Sequence, residues 1–119
     1  MQDFRDLKVW AKAHALTLAV YRSTEEFPKE ERYGLTSQMR RAAVSIPTNL
    51  AEGCVRSTDA DFGRFLHVSL GSTSELEYLI LLARDLQLIT AAVHDGLTSD
   101  LHEVKRMLIG LIGRLRANS

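Results

Sequence analysis

At 119 residues, 45% hydrophobic and 25% charged, the chain has the length of one domain, residues 1–119, and enough apolar material for a core. Fifteen basic side chains balance fifteen acidic ones, so no net charge advertises a nucleic-acid or membrane partner. Seven Gly and two Pro leave little turn material for a many-stranded sandwich or barrel, and one Cys excludes an internal disulfide and a Cys-based zinc site. That cysteine usage implies a reducing, cytoplasmic compartment. The charged start Met1-Gln2-Asp3-Phe4-Arg5-Asp6 is not a secretory signal, and no apolar run reaches the roughly 18 residues of a membrane span.

Apolar residues recur with helical period along almost the whole chain. Val9, Ala13, Leu16 and Val20 follow 4-3-4 spacing and Trp10 widens the stripe, which predicts a first helix from Leu7 to about Thr24. Pro28 disfavours helix at Phe27 and breaks the pattern. A second stripe runs Leu35, Met39, Ala42, Ala43, Ile46, Leu50 and finishes near Gly53-Cys54. Pro47 lies inside it, lacks a donor and crowds the Ala43 carbonyl, so a kink or short break is expected there.

Thr58 is a good N-cap, with Asp59 and Asp61 placed for the first turn. Phe62, Leu66, Thr73, Leu76, Ile80 and Ala83 then keep one face of a long third helix. Its middle, Ser69-Leu70-Gly71-Ser72-Thr73-Ser74, is small and hydroxylated, which suits a close helix crossing better than a catalytic serine, since no His stands at helical spacing. Last comes the seam Leu97, Leu101, Val104, Leu108, Leu111, Leu115, with Thr90 the preferred cap and Asp95-Gly96 a loop or weak first turn. Lys105, Arg106, Arg114 and Arg116 lie toward its end, where the helix dipole favours cations. Four amphipathic helices on short links predict an all-α, up-down antiparallel four-helix bundle.

Chemistry-bearing motifs are sparse. No Glu has a His three positions later and no His has a His four later, so neither the di-iron bundle motif nor a helical His pair is present. There is no phosphate-cradling Gly-rich loop and no nucleophile elbow. No metal, cofactor or enzymatic activity is expected. Cys54 is either a reactive thiol at a helix end or a small buried residue.

Charge is nevertheless segregated. Arg5, Lys8, Lys12, Ala15, Ala19 and Arg22 fall at 3-4-3-4-3 spacing, an acid-free stripe, and Arg40-Arg41 has no acid between Arg32 and Glu52. Conversely, Glu75, Glu77, Asp85, Asp95, Asp100 and Glu103 are opposed in their stretch by Arg84 alone. Two readings compete: solvated faces with intersubunit ion pairs, or a nucleic-acid footprint on Arg5, Lys8, Lys12, Arg22, Arg40 and Arg41. Apolar residues off the main stripes, Phe4, Tyr21, Leu70, Leu81 and Ile109, are expected to form a subunit interface.

The run Tyr33-Gly34-Leu35-Thr36-Ser37-Gln38-Met39-Arg40-Arg41-Ala42-Ala43-Val44-Ser45-Ile46-Pro47-Thr48-Asn49-Leu50-Ala51-Glu52-Gly53 closely resembles the signature of the 23S ribosomal RNA intervening-sequence proteins, also called four helix bundle proteins. Asp6-Leu7-Lys8-Val9-Trp10 resembles that family's opening motif, and Phe62, Phe65-Leu66, Leu70-Gly71-Ser72 with Glu75 its third helix. Cys54-Val55 departs from the aromatic or small residues of that turn. The resemblance implies a small up-down bundle assembling as a ring-like homopentamer. Some members of the family are encoded inside insertions in large-subunit ribosomal RNA genes, without being structural ribosomal proteins, and others are accessory proteins of diversity-generating retroelements that bind nucleic acid and a reverse transcriptase. No catalytic residue carries over. In the matching region, Ser45, Thr48 and Asn49 are placed to bond backbone groups freed by Pro47. An inward Glu52 or Glu75 would take Arg40 or Arg41 as its partner, so these arginines have a structural and a binding role in competition. The sequence thus yields a non-enzymatic homo-oligomeric accessory that binds RNA, DNA or a nucleic-acid enzyme, with a protein-binding scaffold as the alternative.

Overall fold

Leu7 is extended, with φ −82° and ψ 123°, and α1, Lys8–Thr24, starts immediately after it. In the computed structural model, which describes residues 2–117, the preceding residues Phe4–Asp6 form a separate 3-10 turn capped by Asp3. Arg5 is therefore not in α-helical register with Lys8, and the expected stripe begins one turn later. Met1, Asn118 and Ser119, the ends of the expected domain 1–119, lie outside the described residues. Pro28 ends the first helical stretch as anticipated, and a 3-10 turn, Lys29–Glu31, leads into α2, Leu35–Cys54. Helix α3, Asp59–Asp85, follows with Thr58 as its cap, the Asp61 amide donating to Thr58 Oγ1 at 3.2 Å. Helix α4, Ala91–Ala117, carries Asp95 and Gly96 inside it, and the Val93 amide donates to Thr90 Oγ1 at 3.1 Å.

Each helix packs on its neighbours in sequence, and α1 returns against α4, so four helices close one ring of contacts with no strand among the described residues. This is the up-down antiparallel four-helix bundle, 46 × 23 × 20 Å. Leu16, Met39, Ile46, Leu50, Leu66, Leu76, Ile80, Leu101 and Leu108 fill its centre without exposure to solvent. In α4 the seam holds at Leu97, Leu101, Val104 and Leu108, then moves to Ile112, leaving Leu111 and Leu115 half-buried. A straight α-helix drifts by about 20° per heptad against a strict seven-residue repeat, and that drift brings the next position inward. Phe4 and Leu70, expected on an outer face, pack partly against the core instead; Tyr21, Leu81 and Ile109 stay exposed.

Helix α2 passes through Pro47 without the expected break. A proline at 47 cannot donate to the Ala43 carbonyl, which is buried. Thr17 of α1 takes over, its hydroxyl proton shared between Ala13 O at 2.8 Å and Ala43 O at 3.1 Å. Two nearby carbonyls, which Pro47 does not deprive of their helical donors, take a side-chain donor besides: Ser69 Oγ donates to Ile46 O at 2.8 Å, and Asn49 Nδ2 to Ser45 O at 2.8 Å.

The hydroxyl-rich middle of α3 lies against this stretch. Ser69, Ser72 and Thr73 are buried. Ser72 Oγ donates to Val68 O at 3.1 Å, so in its 2.7 Å bond with Ser45 Oγ the proton comes from Ser45, which in turn accepts Asn49 Nδ2 at 3.1 Å. Small side chains here let α2 and α3 approach closely, as the sequence implied, and the serines are structural donors. At the end of α2 the approach tightens further: a Cβ on Gly53 would lie 2.8 Å from Phe62 Cδ1 and 3.1 Å from Phe65 Cβ.

The α3–α4 turn carries Gln87 at φ 62°, with the Leu88 amide on Ala83 O and the Gln87 amide on Arg84 O, both 2.9 Å, a Schellman closure. Across the same pair, Glu77 Oε2 meets His102 Nε2 at 2.8 Å and Glu77 Oε1 accepts from Lys105 Nζ at 3.0 Å. The His102 and then the Lys105 hydrogen bonds hold the Glu77 carboxyl below its ordinary range.

Two outcomes follow for stability. Thr17→Val should cost about 1–3 kcal/mol in urea unfolding by orphaning a buried carbonyl. The cost should shrink in a Pro47→Ala background, where residue 47 regains a donor for Ala43 O, giving a coupling of at least ~0.5 kcal/mol in the double-mutant cycle. For Glu77, the folded carboxyl is the stronger acid, so its contribution is complete above the unfolded Glu pKa and is lost as pH falls through the depressed folded value. Glu77→Gln should therefore flatten the acid limb of stability against pH while changing it least at the acid extreme, as followed by circular dichroism melts.

Candidate nucleic-acid interface

Helix α1 contains no acid, and α2 contains none before Glu52, so neither helix neutralises its own cations there; acids reach them from the α1–α2 link and from α4. Helical phase splits the expected site residues into two groups. Lys8 and Lys12 lie on the flank of α1 that turns toward α4, as the Lys12 Nζ–Glu103 Oε1 contact at 3.4 Å establishes, while Arg22, about 80° back around the helix from Lys12, is exposed. Arg40 and Arg41 belong to α2, on the other side of α1.

Each position has its own surroundings. Arg5 is tied to Asp3, Nε to Oδ1 at 3.0 Å, a hydrogen bond that raises the Arg5 pKa and lowers that of Asp3, and its guanidinium lies 5.3 Å over the Phe4 ring. Lys8 is exposed and lines a groove of about 560 Å³ between the start of α1 and the last turns of α4, where Arg106 and Arg114 join it and Asp6 and Glu103 face it. Arg22 is exposed and forms no ion pair among the described residues. Arg40 is a structural residue: its Nε donates to Thr24 Oγ1 at 2.8 Å and its Nη2 to Tyr21 O at 3.3 Å, with the guanidinium 4.5 Å over the Tyr21 ring. Neither expected acid partner is used, because Glu52 and Glu75 both point to solvent. Arg41 is exposed and forms no ion pair among the described residues; it lines a groove of about 570 Å³ with Tyr21, Ser37, Val44 and Thr48.

Two features of this surface escaped the sequence reading. Arg106 and Arg114 were assigned to dipole compensation in α4, yet their eight-residue spacing keeps them on the α1 side beside Lys8. Trp10 widens the core stripe and packs half-buried against the core as the spacing predicts, but it is also stacked on exposed His14 with ring centroids 5.0 Å apart and planes at 7°, and edge-on to Phe4 at 4.8 Å. The 4-4-3 series Trp10, His14, Leu18, Tyr21 was the available signal for an aromatic edge.

Among the described residues, no three His, Cys, Asp or Glu side chains gather as a metal site. Cys54 is buried, and burial followed by the Asp3 charge pushes its thiol above the ordinary range, so the small-packing reading of Cys54 is the correct one. No helix among the described residues is long and apolar enough to cross a membrane.

Compared with known proteins, residues 5–110 match the family model for 23S rRNA-intervening sequence proteins. A crystal structure of a protein of unknown function from the S23 ribosomal protein family of Bacteroides thetaiotaomicron VPI-5482 superposes with a TM-score of 0.79. It is 23% identical, and the match covers 87% of this chain and 97% of that one. No curated protein matches.

The different surroundings of the two adjacent arginines give a direct expectation. Arg40→Ala should lower stability by about 1–2 kcal/mol, the low end for hydrogen bonds from a charged donor, whereas Arg41→Ala should stay within about 0.5 kcal/mol. Urea unfolding of both variants measures the difference.

Proposed function

Since the chain belongs to the 23S rRNA-intervening sequence protein family, we propose that it is a non-enzymatic accessory protein of the cytoplasm that assembles into a ring-like homopentamer and binds RNA or DNA, or an enzyme acting on them, through its basic surface. The carrying observation is the charge partition. Helix α1 and helix α2 as far as Glu52 hold Lys8, Lys12, Arg22, Arg40 and Arg41 and no acid, the acids of that half lying in the segment before α1 and in the link at Glu25, Glu26, Glu30 and Glu31, while in the stretch from Glu75 to Glu103 six acids stand with Arg84 alone. One bundle offers few phosphate contacts; a ring repeats the same stripe and multiplies them. Exposed Val68, Tyr78, Leu81, Val93 and Ile109, away from the α1–α2 groove, supply apolar material for contacts between copies. The free, buried thiol of Cys54 supports a reducing compartment. A protein-binding scaffold is the second reading, favoured by the balance of fifteen cations against fifteen anions.

Light scattering should return five times the 13.3 kDa chain mass at micromolar concentration. Fluorescence anisotropy with labelled RNA and DNA should show binding that weakens with salt, by a slope of about −0.9 per phosphate contact on duplex DNA. Because Lys12 already faces Glu103, the cleaner charge reversal is Lys8→Glu with Arg22→Glu. That pair should weaken binding, adding Arg41→Glu should abolish it, and the assembly mass should stay unchanged in both variants. A wild-type protein that binds neither nucleic acid at tens of micromolar would transfer the assignment to the scaffold.

A further inference from the structure

We infer that the ligand of this surface is single-stranded nucleic acid, whose bases stack along the aromatic edge of α1 while its phosphates run beside the arginines of α2; this rests on the nucleic-acid reading above. The edge is built from Trp10, His14 and Tyr21. Trp10 and His14 form a nearly parallel ring pair, centroids 5.0 Å apart and planes at 7°, and His14 is exposed. Phe4 closes the inner end of that pair edge-on at 4.8 Å, which fixes the Trp10 ring. Seven residues further along the same helix, roughly 10 Å at 1.5 Å per residue, Tyr21 is 39% exposed beneath the Arg40 guanidinium.

Arg40 is held by Thr24 and the Tyr21 carbonyl, so the Tyr21–Arg40 pair is a fixed wall and not a mobile surface contact. The groove at that wall, about 570 Å³, has Arg41, Ser37 and Thr48 as its donors and Val44 as apolar floor. It is open to solvent along its length, so a base can enter it from the side while its strand continues past. Between Arg40 and Thr48 this path meets no acid; exposed Glu52 marks its far end on the same face of α2, and Glu25 and Glu26 lie beyond Arg40 in a separate groove.

Planar rings at intervals beside cations are the elements from which sequence-tolerant single-strand sites are made, base stacking supplying about 1–3 kcal/mol per base. A duplex satisfies only half of this arrangement. It has phosphates for Arg41, but its base faces are already stacked on one another, so His14 and Tyr21 add nothing. A single strand uses both halves, one base continuing the Trp10–His14 stack and a later one entering the groove at Tyr21.

The chain's one tryptophan is Trp10, so its emission reports on this edge alone. The test titrates the full-length protein with a 12-nucleotide RNA and, separately, with the same strand annealed to its complement, following anisotropy and Trp10 emission together. The strand alone should bind at least ~10-fold more tightly than the duplex and quench Trp10, consistent with one stacked base. His14→Ala, an exposed position, and Tyr21→Leu, which keeps apolar volume under Arg40, should each weaken single-strand binding about 10-fold while duplex affinity stays within about two-fold. Equal affinity for strand and duplex, with both variants neutral, would overturn this inference and leave nucleic-acid binding standing. Absence of binding to either form would overturn the nucleic-acid reading and this inference with it.

Discussion

The bundle turns on one buried carbonyl. Pro47 lies in the middle of α2 and removes the donor that Ala43 O would otherwise have, inside a core where water cannot replace it. The hydroxyl of Thr17 answers it from α1, and in doing so fixes the rotation of α1 against α2. The same segment of α2 is fixed on its other side by Ser69 on Ile46 O and by the Asn49–Ser45–Ser72 chain. Apolar side chains set how much is buried; these hydroxyls set the phase at which neighbouring helices meet, because a hydrogen bond tolerates far less misalignment than a methyl contact.

Phase then decides what each surface can do. With Thr17 turned to α2, Lys8 and Lys12 turn toward α4, and the Trp10–His14–Tyr21 edge is left on the α2 side. One helix therefore presents a cationic flank and an aromatic flank, about a quarter turn or more apart. Similarly, Glu77 reaches His102 and Lys105 only because α3 and α4 meet at the phase that the Schellman turn at Gln87 and the Thr90 cap establish.

The two adjacent arginines illustrate how neighbours, and not residue type, assign a role. Arg40 completes the exposed end of α1 by bonding Thr24 and the Tyr21 carbonyl, a function met by donors in a planar fork. Arg41, one residue and about 100° further around α2, meets no acid and borders an open groove. Both look alike in a charge count, and only one of them is committed to the fold.

What the sequence settled by itself is what propagates over three or four residues. Apolar spacing placed all four helices, Thr58 and Thr90 announced their starts, the small run from Ser69 to Ser74 announced a close crossing, and the segregation of acids from bases is a property of the chain before it folds. Only the tertiary structure decided what those elements do to one another: that Thr17 and not a break answers Pro47, that Arg40 bonds α1 and not Glu52 or Glu75, that Lys12 meets Glu103, that Arg106 and Arg114 come beside Lys8, and that Ile112 replaces Leu111 in the seam. The reason is geometric. Contacts between residues 26 or 16 positions apart, as for Thr17–Ala43 and Thr24–Arg40, depend on the rotation and separation of two whole helices, and a pattern of local spacing carries neither quantity.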